Sequence, residues 1–211
     1  MFLSRIELDL GLNATRRALS SPQILHAAVE GCFPDLEIKY RKLWRLDNLQ
    51  GKLFLLLVSH KEPDFSLFTQ QFSSKDMKSE TKKYQPFINK IQTGGNYRFR
   101  LRANPVHNVS TENRTRGKVY AHVTVAQKQD WLVKKAATNG FKLNEDWFSV
   151  VETDYMRFKR DKKEEPIVIS TAVFEGKLEV IDSSIFAQTL IQGIGRAKAY
   201  GCGLLTVAEI Q

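Results

Sequence analysis

The sequence predicts an α+β protein built from two tandem ferredoxin-like (RRM-like, βαββαβ) domains. Three observations carry that expectation. Strand-length runs alternate apolar and polar residues, and helical stretches with recognisable start signals fall between them. A glycine break, Thr93-Gly94-Gly95-Asn96, sits near mid-chain, and the same element order restarts after it. The expected domains are 1–93 and 97–211.

In the first half, FLSRIELDL (Phe2–Leu10) alternates as a half-buried strand does. Ser20-Ser21-Pro22 signals a helix start, because proline's fixed φ suits the first turn. That helix is expected from about Gln23 to Gly31, burying Ile24, Leu25, Ala28 and Val29 and stopping before Phe33-Pro34. Tyr40–Asp47 and Lys52–His60 read as strands joined by a turn at Asn48–Gly51. Phe65–Phe72 is a short amphipathic piece, Ser73–Lys83 a polar loop, and Tyr84–Ile91 a weak closing strand.

The second half is more regular. YRFRLRANP reads as a strand, and Val125–Gly140 as a helix carrying Trp131, Leu132, Val133 and Ala136. Strands follow near Trp147–Lys159 and Ile167–Val180, the latter with a possible break at Gly176. A helix at Ser183–Gln192 and a strand at Leu204–Val207 close the half.

Composition narrows the function classes. The 211 residues can fill one large or two small cores, and 42% hydrophobic residues with 13 Phe indicate a packed chain. Net charge is +9, from 32 Lys+Arg against 23 Asp+Glu, which favours a polyanionic partner, nucleic acid or an acidic membrane. No amphipathic basic helix supports the membrane alternative, and no apolar run reaches spanning length. Cys32 and Cys202 are the only cysteines and form no CxxC, so two buried thiols in a reducing cytoplasm are expected, with neither zinc site nor disulfide framework. The opening MFLSRIELDLG reads as a strand and not as a leader.

Candidate contacts to an anion cluster in four places. YRFRLR sets Arg98, Arg100 and Arg102 on one strand face, where their mutual repulsion would be relieved by an anion. YMRFKRDKKEE (Tyr155–Glu165) reads as a basic hairpin tip, and Arg114, Arg116 and Lys118 form a third basic stretch. GIGRAKAYGCGLL (Gly193–Leu205) packs four glycines, Arg196 and Lys198 before the last strand. It is neither the dinucleotide fingerprint, which needs a glycine at Lys198, nor a P-loop, which needs Lys-Ser/Thr after Gly201. Among four histidines, His26 lies near the start of the first helix, where helix N–H donors could also meet a phosphate. His60, His107 and His122 show no ligand spacing, and no Asp/Glu cluster suggests a two-metal nuclease.

Together RIELD, LHAAVEGCFP, LWRLD, YRFRLRANPV and QGIGRAKAYGCGLLTVA resemble, in this order, the CasE family, the CRISPR-RNA-processing endonucleases of the type I-E Cascade complex. The resemblance covers essentially the whole chain. It implies tandem ferredoxin-like domains that bind the repeat RNA hairpin and cut at the 3′ base of its stem with no metal or other cofactor. The product stays bound as a guide alongside the other Cascade subunits, in the cytoplasm. Such cleavage uses the RNA's own 2′-OH, giving a 2′,3′-cyclic phosphate and a 5′-OH, and the protein aligns groups and moves protons.

The family's catalytic histidine matches His26, which the resemblance makes the general acid to the leaving 5′-oxygen, with the general-base role open to it as well. Some members carry a tyrosine three residues earlier, where Gln23 stands here, and cations just after it, where Ala27 and Gly31 stand. Arg16 and Arg17 are candidates for the missing phosphate contact. The resemblance also implies RNA contacts at the hairpin (Arg157, Lys159, Arg160, Lys162) and at the glycine loop (Gly193, Gly195, Arg196, Lys198, Gly201), which should pack beside the His26 helix. The departures leave an alternative open, a non-catalytic subunit that only caps the hairpin.

Overall fold

The computed structural model describes residues 1–34, 40–74, 76–109, 118–159 and 165–210. The first half runs β1 (Phe2–Leu8), α1 (Asn13–Ser20), α2 (Pro22–Gly31), β2 (Leu43–Leu49), β3 (Lys52–Ser59), α3 (Ser66–Phe72), β4 (Ser79–Lys83) and a one-turn α4 (Gln85–Ile88). The second runs β5 (Asn96–Ala103), β6 (Val106–Val109), β7 (Lys118–Ala121), α5 (Val125–Ala136), β8 (Phe141–Lys142), β9 (Phe148–Phe158), β10 (Ile167–Val180), α6 (Ser183–Gln192) and β11 (Leu205–Glu209).

Among the described residues, the first sheet has the order β2-β3-β1-β4, antiparallel throughout. The second has β11-β5-β10 with β8 and β9 both on the far edge of β10, again antiparallel. Counted from its own first strand, each sheet reads 4-1-3-2, the order that a βαββαβ chain generates. The fold is therefore α+β with tandem ferredoxin-like units. β6 and β7 form a separate ribbon inserted after β5.

Local signals explain the helices. Thr124 and Gln127 make a reciprocal capping box at the start of α5, and the Asp182 carboxylate accepts from the Ile185 N–H at the start of α6. Helix α2 buries Leu25 and Val29, four residues apart on one stripe, against Ile6, Leu8, Leu55 and Leu57. The second core draws on both halves. Leu43, Val58, Tyr84, Ile88 and Ile91 join Phe99, Leu101, Trp131, Phe174 and Leu190, so the halves share one apolar interior.

Arg16 and Arg17 lie just upstream of α2, on a helix, Asn13–Ser20, for which the sequence reading has no element. Two expectations need correction. The closing strand of the first half is Ser79–Lys83, inside the stretch read as a loop, while Tyr84–Ile91 is a turn of helix and bends that plug the shared core. β4 is an edge strand of polar residues held by its ladder with β1, from Phe2↔Lys83 to Ile6↔Ser79, so it carries no apolar alternation to read. And β10 runs unbroken through Gly176, which pairs with Phe99 on one side and Phe148 on the other.

β2 explains why LWRLD is so apolar. Leu43, Trp44 and Arg45 are all buried, because the strand is covered on both faces. Leu43 joins the shared core, and Trp44 the first-half core. Arg45 reaches across to the second half, and its guanidinium donates to Asp47 at 2.8 and 2.7 Å, to the Arg100 carbonyl at 2.8 Å, to the Leu204 carbonyl at 3.0 Å and to the Thr206 hydroxyl at 2.9 Å. A charge buried to 1% exposure is tolerable only with this degree of satisfaction.

Candidate nucleic-acid interface

His26 sits one turn into α2, half-buried. The helix start itself offers little to a phosphate. The Ser21 N–H bonds the Ala18 carbonyl at 3.2 Å, the Ile24 N–H bonds the Ser21 carbonyl at 2.8 Å, and Pro22 has none. The anion-attracting groups come from elsewhere. His26 lines a cavity of about 460 Å³ together with Glu30, Tyr40, Arg41, Lys42, Trp44 and Ala199. Lys42 is held in place by Glu30 at 2.7 Å and by the Phe33 ring, 5.3 Å from its ammonium. Tyr200 presents its ring to His26 edge-on, centroids 6.2 Å apart.

Lys198 completes this group. Burial, then the positive charge of Arg41, pushes its ammonium below the ordinary lysine value. An amine so placed gains from any anion that arrives between it and Arg41. Trp44 adds a buried indole N–H with no partner among the described residues. Tyr40, Arg41, Lys42 and Tyr200 were not singled out in the sequence. YRK directly before a strand matches no motif, and its nearness to His26 depends on the one-turn 3₁₀ segment Lys198–Tyr200 docking on α2 from the far end of the chain.

The glycine loop is shaped by packing. Gly201 has φ +76°, and a Cβ there would lie 2.8 Å from the Trp44 ring. Gly193 has φ +72°, and a Cβ would meet the Gly203 carbonyl at 2.7 Å and the Leu43 methyls at 2.7 and 2.9 Å. Gly195 faces the Trp131 ring. These three glycines thus have structural reasons for being there, and the expected packing beside the His26 helix is what the structure has. Arg196 is exposed and Lys198 half-buried on that loop. The loop is also stitched to the β9–β10 hairpin, since Tyr200 packs on Phe158 at 4.7 Å and joins Ile169 in a small cluster. Arg157 and Lys159 are exposed on that hairpin, while Arg160 and Lys162 lie outside the described residues, as do Arg114 and Arg116. On the other flank of α2, Arg17, Gln23 and Lys159 line a second cavity of about 720 Å³.

Several predicted contacts are otherwise engaged. The alternation of β5 is as expected, but Arg100 pairs with Asp47 at 3.1 Å and with Glu175, and Arg102 with Asp154 at 3.7 Å. Their repulsion is relieved by carboxylates from β2, β9 and β10, and among the described residues only Arg98 of the three has no ion pair. Arg16 donates to the Leu10 and Gly11 carbonyls and to Asn13, tying down the turn before α1. Arg17 makes no ion pair among the described residues and is exposed, as is Lys118 on β7. The Cys32 and Cys202 thiols are buried and pushed up to about 12 by desolvation, so both are inert. Among the described residues no group of three or more His, Cys, Asp or Glu side chains could hold a metal ion, and no helix is long and apolar enough to cross a membrane.

Tandem ferredoxin-like units with a histidine in a cation-edged cleft define a nucleic-acid-handling class of protein. The family model described as CRISPR associated protein matches residues 1–209, and the chain belongs to that family, in its CasE/Cse3 branch. It is 30% identical to the CRISPR-associated endoribonuclease Cse3 of Thermus thermophilus over 99% of this chain and 100% of that one. It is 32% identical to the CRISPR system Cascade subunit CasE of Escherichia coli over 57% of this chain and 61% of that one. Among solved structures, Cse3 bound to a 19-nucleotide RNA superposes with a TM-score of 0.82 at 29% identity, covering 98% of each chain.

Proposed function

We propose that this protein is the CRISPR-RNA-processing endoribonuclease of a Cascade complex. It binds the repeat stem-loop, cuts at the 3′ base of the stem, and keeps the product hairpin while other Cascade subunits assemble on the same RNA in the cytoplasm. The observation that carries this is the placement of His26 among Arg41, Lys42 and Lys198, in a chain similar along its whole length to a named endoribonuclease.

The chemistry follows from what each group can do. The 2′-OH next to the scissile phosphate attacks in line and gives up its proton to solvent, the P–O5′ bond breaks, and His26 delivers a proton to the departing 5′-oxygen. Arg41 and Lys198 face the charge that grows on the non-bridging oxygens, taking the place of the cations that Ala27 and Gly31 lack. Arg17 and Lys159 hold the strand on the other flank of α2. Arg98, Arg157, Arg196 and Lys118 supply exposed charge for the remaining backbone. The division into units 1–93 and 97–211 belongs to the same proposal.

The test is incubation of labelled repeat RNA with protein in EDTA. Wild type should yield a 2′,3′-cyclic phosphate, and His26→Ala should cut at least about 100-fold more slowly while still binding. Full-rate cutting by the variant would remove His26 from the mechanism. Binding without cutting by wild type would select the hairpin-capping reading, which the Gln23, Ala27 and Gly31 departures favour.

A further inference from the structure

Fifteen residues apart in sequence, His107 and His122 meet in the structure. They share one face of the β6–β7 ribbon with Tyr120. His107 stands directly opposite Tyr120 in the register, ring centroids 6.1 Å apart and near-stacked, and lies 4.8 Å from the ring of His122. The ladder continues past the strands, with the His122 N–H bonding the Pro105 carbonyl at 3.0 Å. Strand alternation puts Lys118, two residues from Tyr120, on that same face. Two of the three rings are open, Tyr120 at 47% exposure and His107 exposed, with His122 half-buried beside them and Lys118 exposed.

The ribbon's position gives this platform a context. β10 pairs with β5 up to Ala172↔Ala103, so its first residues, Ile167–Thr171, run beyond the end of β5 and pair only with β9. The basic hairpin and the start of the ribbon therefore leave the sheet at the same end. The glycine loop is at that end too, because the Gly203 N–H bonds the Arg102 carbonyl. Near that end three buried polar atoms, Arg102 Nε, Asn104 Oδ1 and Ser170 Oγ, have no partner among the described residues.

We infer that the His107–Tyr120–His122 face is a stacking site for unpaired nucleotides adjoining the bound stem. An RNA stem keeps its bases inside the duplex, so exposed rings can be used only by bases that have left it. Rings on a β surface with a cation beside them suit a single strand, because every base has a π-face and every linkage a charge. Lys118 supplies that cation, and the wider chain is basic. The inference rests on the RNA reading above and extends it to the sequence flanking the hairpin.

The experiment compares two RNAs with a 2′-deoxy substitution at the scissile nucleotide, which removes the nucleophile. One is the stem-loop with single-stranded flanks, and the other is trimmed to the stem-loop. His107→Ala/Tyr120→Ala should bind the flanked RNA about tenfold more weakly than wild type and the trimmed RNA within about twofold of it. Tyr120→Phe, which keeps the ring, should restore binding, and RNAs with a single flank identify which side stacks. Retained binding of the trimmed RNA certifies that the variant is folded. Unchanged binding of the flanked RNA would overturn the site, including the case in which the ribbon receives a protein instead. Equal weakening on both RNAs would overturn it too. Wild type that bound neither RNA would instead refute the RNA reading, and this site with it.

Discussion

Arg45→Met is the perturbation that most directly tests how the two halves are held at one angle. The guanidinium it removes is buried and bridges β2 to β5 and β11. Breaking a buried ion pair by deleting one partner costs about 3–5 kcal/mol. Here the residual groups are partly rescued, which sets the expectation at the low end. Asp47 keeps the Arg100 Nε at 3.1 Å, and the Arg100 carbonyl keeps the Thr206 hydroxyl at 3.3 Å. The Leu204 carbonyl loses its 3.0 Å side-chain donor, adding about 1 kcal/mol, while methionine restores much of the volume. A loss of about 3 kcal/mol in urea unfolding is expected, with Arg45→Met/Asp47→Leu recovering part of it because no buried carboxylate then remains. Leu204 ends the glycine loop, so RNA cleavage should fall further than the surviving folded fraction. A loss under about 1 kcal/mol with an unchanged m-value would mean that the network is hydrated and the reasoning wrong.

Two further outcomes follow from the same geometry. Gly201→Ala places a side chain at φ +76° and drives a Cβ into the buried Trp44 ring, so unfolding free energy should drop by roughly 2–5 kcal/mol; a neutral result would show that the loop can relax away from β2. His122 is held below the ordinary imidazole value by partial burial and then by the charge of His107, with Asp130 opposing and Lys134 assisting. A depressed folded value means that the unfolded chain takes up the proton first. The ribbon's contribution is therefore complete above about pH 6.5 and lost as pH falls through the lower folded value. NMR titration of His122 should show its midpoint rise in His107→Asn, and an unmoved midpoint would refute the coupling.

Much of this was legible because strand alternation is a local signal. YRFRLR declared which residues face inward, and Tyr97, Phe99 and Leu101 are buried as the pattern required. It could not declare what the arginines meet. Asp47, Glu175 and Asp154 reach them from strands far away in sequence, so a row of like charges that looked like an anion site is largely neutralised from within. β4 was invisible for the converse reason, since its backbone pairs while its side chains remain outside any core. His26 became a candidate through the resemblance, whereas Arg41 and Lys42, which line the same cavity, carry no sequence signal, because the docking of Lys198–Tyr200 on α2 completes that group.

That docking also gives the terminal loop its purpose. A loop that merely cradled a phosphate with its amides would need glycines facing outward, yet Gly193 and Gly201 face the Leu43 and Trp44 side chains of β2. Their missing Cβ atoms let the chain lie flat on a strand of the first half, and Lys198, Ala199 and Tyr200 are carried between them to the His26 helix. The glycines and the cations thus divide the work: the former bring two distant segments within packing distance, and the latter, Arg41 and Lys198, are left with mutual repulsion that an anion between them would relieve. A substitution that keeps every charge but fills a glycine should therefore disarm the site as effectively as removing a cation.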